Sequence, residues 1–185
     1  MILAVVGGEQ PLNRHGACCL GSLNLNEFVL NPYTKDSKFN WNDFINSIPV
    51  AVEALDTIID ENKEHFPLKE QMDNSLNYRN IGLGIMGLAN CLMKLGIEYG
   101  SKKALDFVDA LFDRLFIDSV YASADLAYRR GSFPKYSNVL FDSTIIKKHF
   151  SQDDIYKLKE TGLRNCSLVS IAPTGLTFMA QYKLF

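Results

Sequence analysis

An α/β fold in which long helices separate a few strands is predicted by three features of the sequence. Apolar residues recur at three- and four-residue steps from Trp41 to Ile59, as on one face of a helix. A second long stretch carries helix start and stop residues at Ser101 and Gly131. Two short apolar runs, Ala17 to Leu25 and Ser167 to Ala172, have strand composition, and Pro173 ends the second.

In chain order, residues 1–16 begin apolar and pass into GGEQPLNRHG, whose Gly, Pro and Asn indicate loop. The strand over Ala17 to Leu25 follows. The first helix carries Trp41, Phe44, Ile45, Ile48, Val52, Leu55, Ile58 and Ile59 on one face, with Pro49 as a local weakness. Asp56, Asp60, Glu61 and Glu64 are read as its solvated face. A second helix is predicted over Ile81 to Leu95, closed by Gly96, and a third from Ser101 to about Arg130. A short helix starts at Ser151, with Asp153 and Asp154 in its first turn, and ends at Gly162. Several strands are missing from any closed α/β layering.

Composition excludes several classes of function. A formal net charge of -2 leaves no electrostatic footprint for nucleic acid or an anionic membrane surface. No run approaches the ~20 apolar residues that span a bilayer, and the stretch from Met1 to Val6 is too short and uncharged for a secretory signal, so a cytoplasmic location is expected. The four cysteines, Cys18, Cys19, Cys91 and Cys166, are few for a disulfide scaffold and form no Cys-x-x-Cys pair. No metal site is expected, whereas redox chemistry stays open.

GLGIMG at Gly82 to Gly87 has the spacing of a dinucleotide-binding turn, but the polar MDNSLNYRN before it supplies no strand. The glycines are therefore read as close helix packing. SLVSIAPTG is a better anion site: amides freed after a strand, with the Thr174 hydroxyl, can hold a phosphate. Many strands end in such turns with no ligand. Cys18 follows a loop carrying Glu9, and the pair reads either as a buried thiol beside a solvated carboxylate or as a redox thiol beside a general acid/base. Cys91 and Cys166 are read as core, and His15, His65 and His149 as ordinary loop or surface residues.

Taken in order, GGEQPL, GACCLGSLNLNEFV, YRNIGLGIMGLANCLMKLGIEYGS and GLRNCSLVSIAPTG resemble consecutive blocks of the ribonucleotide reductase large, catalytic subunit. The resemblance runs from about Gly8 to Gly175. It implies a partial ten-stranded α/β barrel and assigns residues 1–185 to one incomplete barrel domain. Within it, 1–16 form a finger-loop remnant, 17–172 barrel strands and helices, and 173–185 the phosphate loop and a divergent end. The implied reaction replaces the ribose 2′-hydroxyl with hydrogen by a radical route, with a cysteine pair supplying two electrons.

Position by position, the resemblance makes Glu9 the general base and Cys18 the second member of the redox pair. Gly8 and Glu9, together with Pro173, Thr174, Gly175, Leu176 and Thr177, fall at the substrate. It implies a ribonucleoside di- or triphosphate substrate, a thioredoxin-type reductant and an oligomeric full enzyme. No cofactor is expected within this chain. The parent enzyme would use adenosylcobalamin, towards which the GACCLGSLNL block leans, or a radical from a separate metal-containing subunit.

Two departures accompany these blocks. The family's finger loop reads Asn-Pro-Cys-Gly-Glu, where this chain has Val5, Val6, Gly7, Gly8 and Glu9, so Gly7 replaces the radical cysteine. After Gly175 the chain continues Leu176, Thr177, Phe178, Met179, unlike the family's Thr and following Ser. A truncated or frame-disturbed gene piece, poorly soluble because its strand edges are unpaired, is therefore expected to show no turnover. The alternatives are a noncatalytic helical interaction or assembly module on the same fold, and a nucleotide-binding oxidoreductase built on GLGIMG.

Overall fold

The computed structural model describes the backbone of residues 2–4 and residues 11–174 in full. Two short strands, β1 (Ile2–Ala4) and β2 (Pro11–Asn13), pair antiparallel, and Leu12 turns into the core at 7 % exposure. The stretch read as loop over residues 1–16 thus contains a strand pair, because Leu12 has a core to enter.

Strand β3 (Cys19–Asn24) falls inside the predicted Ala17–Leu25 run. After a minor antiparallel pair, β4 (Val29–Leu30) and β5 (Lys38–Phe39), helix α1 spans Trp41–Glu61. Asn40 caps it by accepting from the Asp43 amide. Pro49 does not break it: the proline lies on the exposed side, where water can satisfy the carbonyl it leaves free. Phe44, Ile48, Val52, Leu55 and Ile59 are buried along the opposite side, as the periodicity requires.

Helix α2 (Lys69–Tyr78) occupies the stretch read as turn-like. It buries only Ser75, so it has no apolar stripe to betray it. It stops at Arg79, whose φ of 48° is left-handed.

The predicted helix over Ile81 to Leu95 is two elements. GLGIMG lies largely in strand β6 (Ile81–Met86), and the helix α3 begins only at Leu88 and ends at Lys94. Gly87 makes the turn between them with φ 76°. All six β6 residues are buried. A parallel strand covered on both faces reads as a continuous apolar run rather than an alternating one, and such a run mimics a buried helix.

β3 and β6 pair parallel, from Cys19 opposite Ile81 to Asn24 opposite Met86. Segment 167–170 joins the other edge of β6 through the Leu83–Val169 bridge, with the Ile81 and Leu83 amides donating to the Ser167 and Leu168 carbonyls at 3.1 and 2.8 Å. The resulting order, β3, β6, then 167–170, is the beginning of a parallel α/β sheet. The described residues do not close it into a barrel.

Helix α4 (Lys102–Arg130) packs along α1 and runs between the predicted Ser101 cap and Gly131. Two shorter helices follow, α5 (Thr144–His149) and α6 (Gln152–Thr161). At α6, Ser151 and Asp154 form a reciprocal capping box. Among the described residues no helix is long and apolar enough to cross a membrane.

The solvated face assigned to α1 is corrected at Asp56. Its side chain is fully buried and its carboxylate accepts from Arg79 Nε at 2.8 Å, Arg164 Nε at 3.2 Å and Asn165 Nδ2 at 2.9 Å. Asp60, half-exposed, accepts from Arg79 Nη1 and Nη2 at 2.7 and 2.8 Å, while Glu61 and Glu64 do face solvent. Asn165 also donates to the Arg79 carbonyl at 3.2 Å and accepts from Ser123 Oγ at 3.0 Å. One carboxylate therefore ties α1, the entry to β6, α4 and the start of segment 163–170.

Asp56→Ala leaves the buried Arg79 guanidinium and the partly buried Arg164 short of their anion, and is expected to lower the unfolding free energy by about 3–5 kcal/mol in urea titration. Hydrogen bonding from Arg79 holds the Asp60 carboxyl below its usual 3.8. A depressed carboxylate contributes stability above its unfolded pKa and loses it as the pH falls through and below that value. Asp60→Asn should therefore flatten the acid limb of a stability–pH curve below about pH 4.

Candidate functional site

The site is built on the parallel sheet and depends on side-chain alternation. A Cβ on Gly21 would meet Leu55 of α1 at 3.2 Å, so the odd positions of β3 face α1. Cys18, Leu20 and Ser22 therefore face the opposite side. A Cβ on Gly82 would lie 2.6 Å from the tip of Leu20, 2.7 Å from Ser170 Cβ and 3.3 Å from Cys18 Sγ. At Gly84 it would collide with the Ser170 carbonyl. The glycines thus let Cys18, Leu20 and segment 167–170 converge over β6, which is the close approach that glycine within a strand marks.

Cys18 is half-buried at the head of β3, and the next residue, Cys19, donates its amide to the Asn80 carbonyl at 3.1 Å. Burial pushes the Cys18 thiol up to about 12, neighbouring Cys19 adds to this, and a hydrogen bond from Ser167 partly offsets it. Burial also raises Cys19, which faces Arg79 and Asp56, and Cys166; it takes Cys91, fully enclosed in the core, to about 11. At neutral pH these sulfurs are protonated thiols rather than nucleophiles. A cavity of about 200 Å³, lined by Ala17, Cys18, Cys19, Ile59, His65 and Phe66, opens beside the two adjacent cysteines.

Pro173 is exposed and Thr174 half-buried, at the end of the segment that begins beside Cys18. The thiol and the lead into the expected phosphate turn therefore share one small sheet. Gly7, Gly8, Glu9, Gly175, Leu176 and Thr177 lie outside the described residues.

Two further readings change. His149 is nearly enclosed, with its ring against Phe116 and Nδ1 3.7 Å from Asp113 Oδ1. Cys166 is half-buried rather than core. Both line a cavity of about 520 Å³ with Phe112, Leu140 and Val169, one that Cys18 does not reach. Sequence reasoning missed Ser167 and Asn80, the polar neighbours of Cys18. The only signal for them was polarity at the start of an apolar run.

With this geometry in view, residues 8–182 match the ribonucleotide reductase barrel domain. The chain is 31 % identical over 180 residues to the ribonucleoside-diphosphate reductase subunit alpha of Chlamydia muridarum, covering 85 % of this chain and 16 % of that protein. It is 33 % identical over 168 residues to a vitamin B12-dependent ribonucleoside-diphosphate reductase of Thermoplasma acidophilum, covering 91 % of this chain and 19 % of that one. A vitamin B12-dependent reductase of Mycobacterium tuberculosis gives 33 % over 168 residues, 91 % of this chain and 20 % of the relative. The chain thus spans a fifth or less of the length of these relatives.

The obstacle at Gly84 is backbone, which cannot swing aside as a side chain can. Gly84→Ala should push segment 167–171 off β6 and lower stability by about 1–3 kcal/mol, measured by denaturant unfolding.

Proposed function

The chain belongs to the ribonucleotide reductase family through its barrel domain, and we propose that it supplies part of the barrel in which a ribonucleotide becomes a 2′-deoxyribonucleotide. The observation that carries this reading is the convergence of the Cys18 thiol and segment 167–174 over Gly82 and Gly84. A reducing thiol and a phosphate-binding turn serve one substrate only if they sit on one face.

Replacing a C2′ hydroxyl by hydrogen consumes two electrons and two protons. Two thiols supply them, becoming a disulfide while the hydroxyl leaves as water. Cys18 is one of these thiols, and its partner belongs to another part of the longer protein. A thiol kept protonated by burial retains the hydrogen this step needs and resists adventitious oxidation. A thioredoxin-type dithiol would return the disulfide to thiols.

Glu9 takes the role of general base at the 3′-hydroxyl, next to Gly8. The turn from Pro173 through Thr174, Gly175, Leu176 and Thr177 holds the phosphates of a ribonucleoside di- or triphosphate. Adenosylcobalamin would supply a radical in the parent enzyme. The cavity that Cys18 lines, about 200 Å³, is smaller than the ~300–1,000 Å³ of ordinary ligand pockets and does not fit a corrinoid.

Gly7 has no sulfur to carry a radical, so the reading includes a chain that binds but does not turn over. The same residue favours the second reading, a noncatalytic assembly module on this fold. Incubation of the purified chain with a ribonucleoside diphosphate and a dithiol is expected to yield no deoxyribonucleotide, and measurable product would overturn the assignment of inactivity. Calorimetric titration with the same nucleotide tests the site: Thr174→Ala removes a hydrogen bond to a charged group, for an expected loss of about tenfold or more in affinity. Affinity indifferent to that change would count against the phosphate turn and for the assembly module.

A further inference from the structure

Helix α2 buries a single residue, Ser75, at 4 % exposure, and the Ser75 hydroxyl has no hydrogen-bond partner among the described residues. A buried hydroxyl left without a partner forfeits its bonds to water, and such a group in a folded protein calls for an explanation. Ser75 lines the cavity of about 200 Å³ beside Cys18 and Cys19. The one residue that α2 buries is therefore spent on that space.

The walls define what would satisfy it. Ala17, Ile59, Phe66 and Pro67 are apolar, and none of the described lining residues is an Asp, Glu, Lys or Arg. A charged guest would be stripped of water with no counter-ion, so a neutral one fits. Asn80, 5 % exposed, lines the same cavity; its Oδ1 accepts from Ser167 Oγ at 3.3 Å, while its Nδ2 donates to no described residue. Ser75 and Asn80 together hold unspent donors, which match one acceptor oxygen. His65, the lining residue that titrates besides the thiols, is exposed. One water would satisfy Ser75, yet the apolar walls leave the waters beyond it short of partners, and displacing such waters favours an apolar body.

We propose that this cavity is a binding site for a small uncharged molecule with a carbonyl-type oxygen on an apolar body, the oxygen accepting from Ser75 Oγ and Asn80 Nδ2 and the body lying against Ile59, Phe66 and Pro67. At about 200 Å³ it admits only a guest smaller than the occupants of ~300–1,000 Å³ pockets. The site is separate from the face over Gly82 and Gly84. Among the described lining residues none comes from segment 167–174, and Ile59 and Ser75 belong to α1 and α2, behind β3. None of this requires a redox role for Cys18.

The probe is benzamide, one carbonyl oxygen on an apolar ring, set against benzoate, which has the same shape and a charge. Titration of the isotope-labelled 185-residue chain, followed by nuclear magnetic resonance, is expected to show saturable millimolar binding of benzamide and at least about tenfold weaker binding of benzoate. Benzamide should also slow iodoacetamide alkylation of Cys18 and Cys19, while Cys166, on the other cavity, keeps its rate. Ser75→Ala should weaken benzamide roughly fivefold and leave the denaturation midpoint unchanged or higher, because the hydroxyl it deletes is unpaired in the free protein. A merely structural role for Ser75 predicts the opposite pair, a lowered midpoint with benzamide affinity unchanged.

Absence of saturable benzamide binding, equal affinity for benzoate, or equal protection of Cys166 overturns the proposal. Unaltered benzamide affinity in Ser75→Ala does the same. Should that variant fail to fold, Ala17→Leu decides, because it fills the cavity from the strand side. Benzamide binding retained in Ala17→Leu overturns the site, and its loss from a chain that still shields the fully buried Cys91 from alkylation supports it.

Discussion

The buried carboxylate of Asp56 is the constraint on which the rest of the arrangement depends. A charge removed from water is tolerated only when it is matched and its lone pairs are filled. Here Arg79, Arg164 and Asn165 fill them, from two separate places in the chain. Arg79 stands at the turn into β6, while Arg164 and Asn165 stand at the turn into segment 167–170. Burial opposes the Arg79 charge, but the hydrogen bonds to Asp60 and Asp56 outweigh it and hold its proton more tightly than usual. The positions of β6 and of the segment 167–170 bridged to it are therefore set by one side chain on α1. The left-handed backbone at Arg79 is maintained by the same contacts, a local strain that the surrounding structure over-determines.

From that anchor the sheet face follows. Once β6 and segment 167–170 are placed side by side, the spacing between them is decided by what β6 lacks. Gly82 and Gly84 remove the side chains that would separate β6 from Ser170, and Leu20 and Cys18 move into the same space. The opposite face of β3 is filled conventionally, with Gly21 against Leu55 of α1. One face thus serves the core and the other gathers sulfur, hydroxyls and bare backbone. Close packing and a candidate site are two consequences of the same pair of glycines.

The thiols share a physical state despite their different environments. Desolvation raises all four, so the chain stores sulfur in its protonated form. Cys91 is enclosed among helix and strand side chains, whereas Cys18 lies beside a small cavity with a hydroxyl at hand. The contrast separates a fully enclosed thiol from one at the edge of a cavity, a distinction that residue type alone does not make.

The sequence by itself determined the local and periodic features. The α1 stripe, the Ser101 and Ser151 caps, the Gly131 and Gly162 stops and the strand near Cys18 depend on neighbours a few residues apart, and the chain records those interactions directly. The ordered blocks also pointed to the family. Only the tertiary structure decided what GLGIMG is, because an apolar run buried on both faces carries no period to distinguish strand from helix. The same holds for α2, a polar helix placed by its ends, and for Asp56, whose helical neighbours Asp60, Glu61 and Glu64 make it look solvated until two arginines arrive from 23 and 108 residues away. Cys18 was legible as a residue, but its convergence with Ser170 over Gly82 was not. What brings them together is a register across β6, a long-range pairing that neither segment encodes by itself.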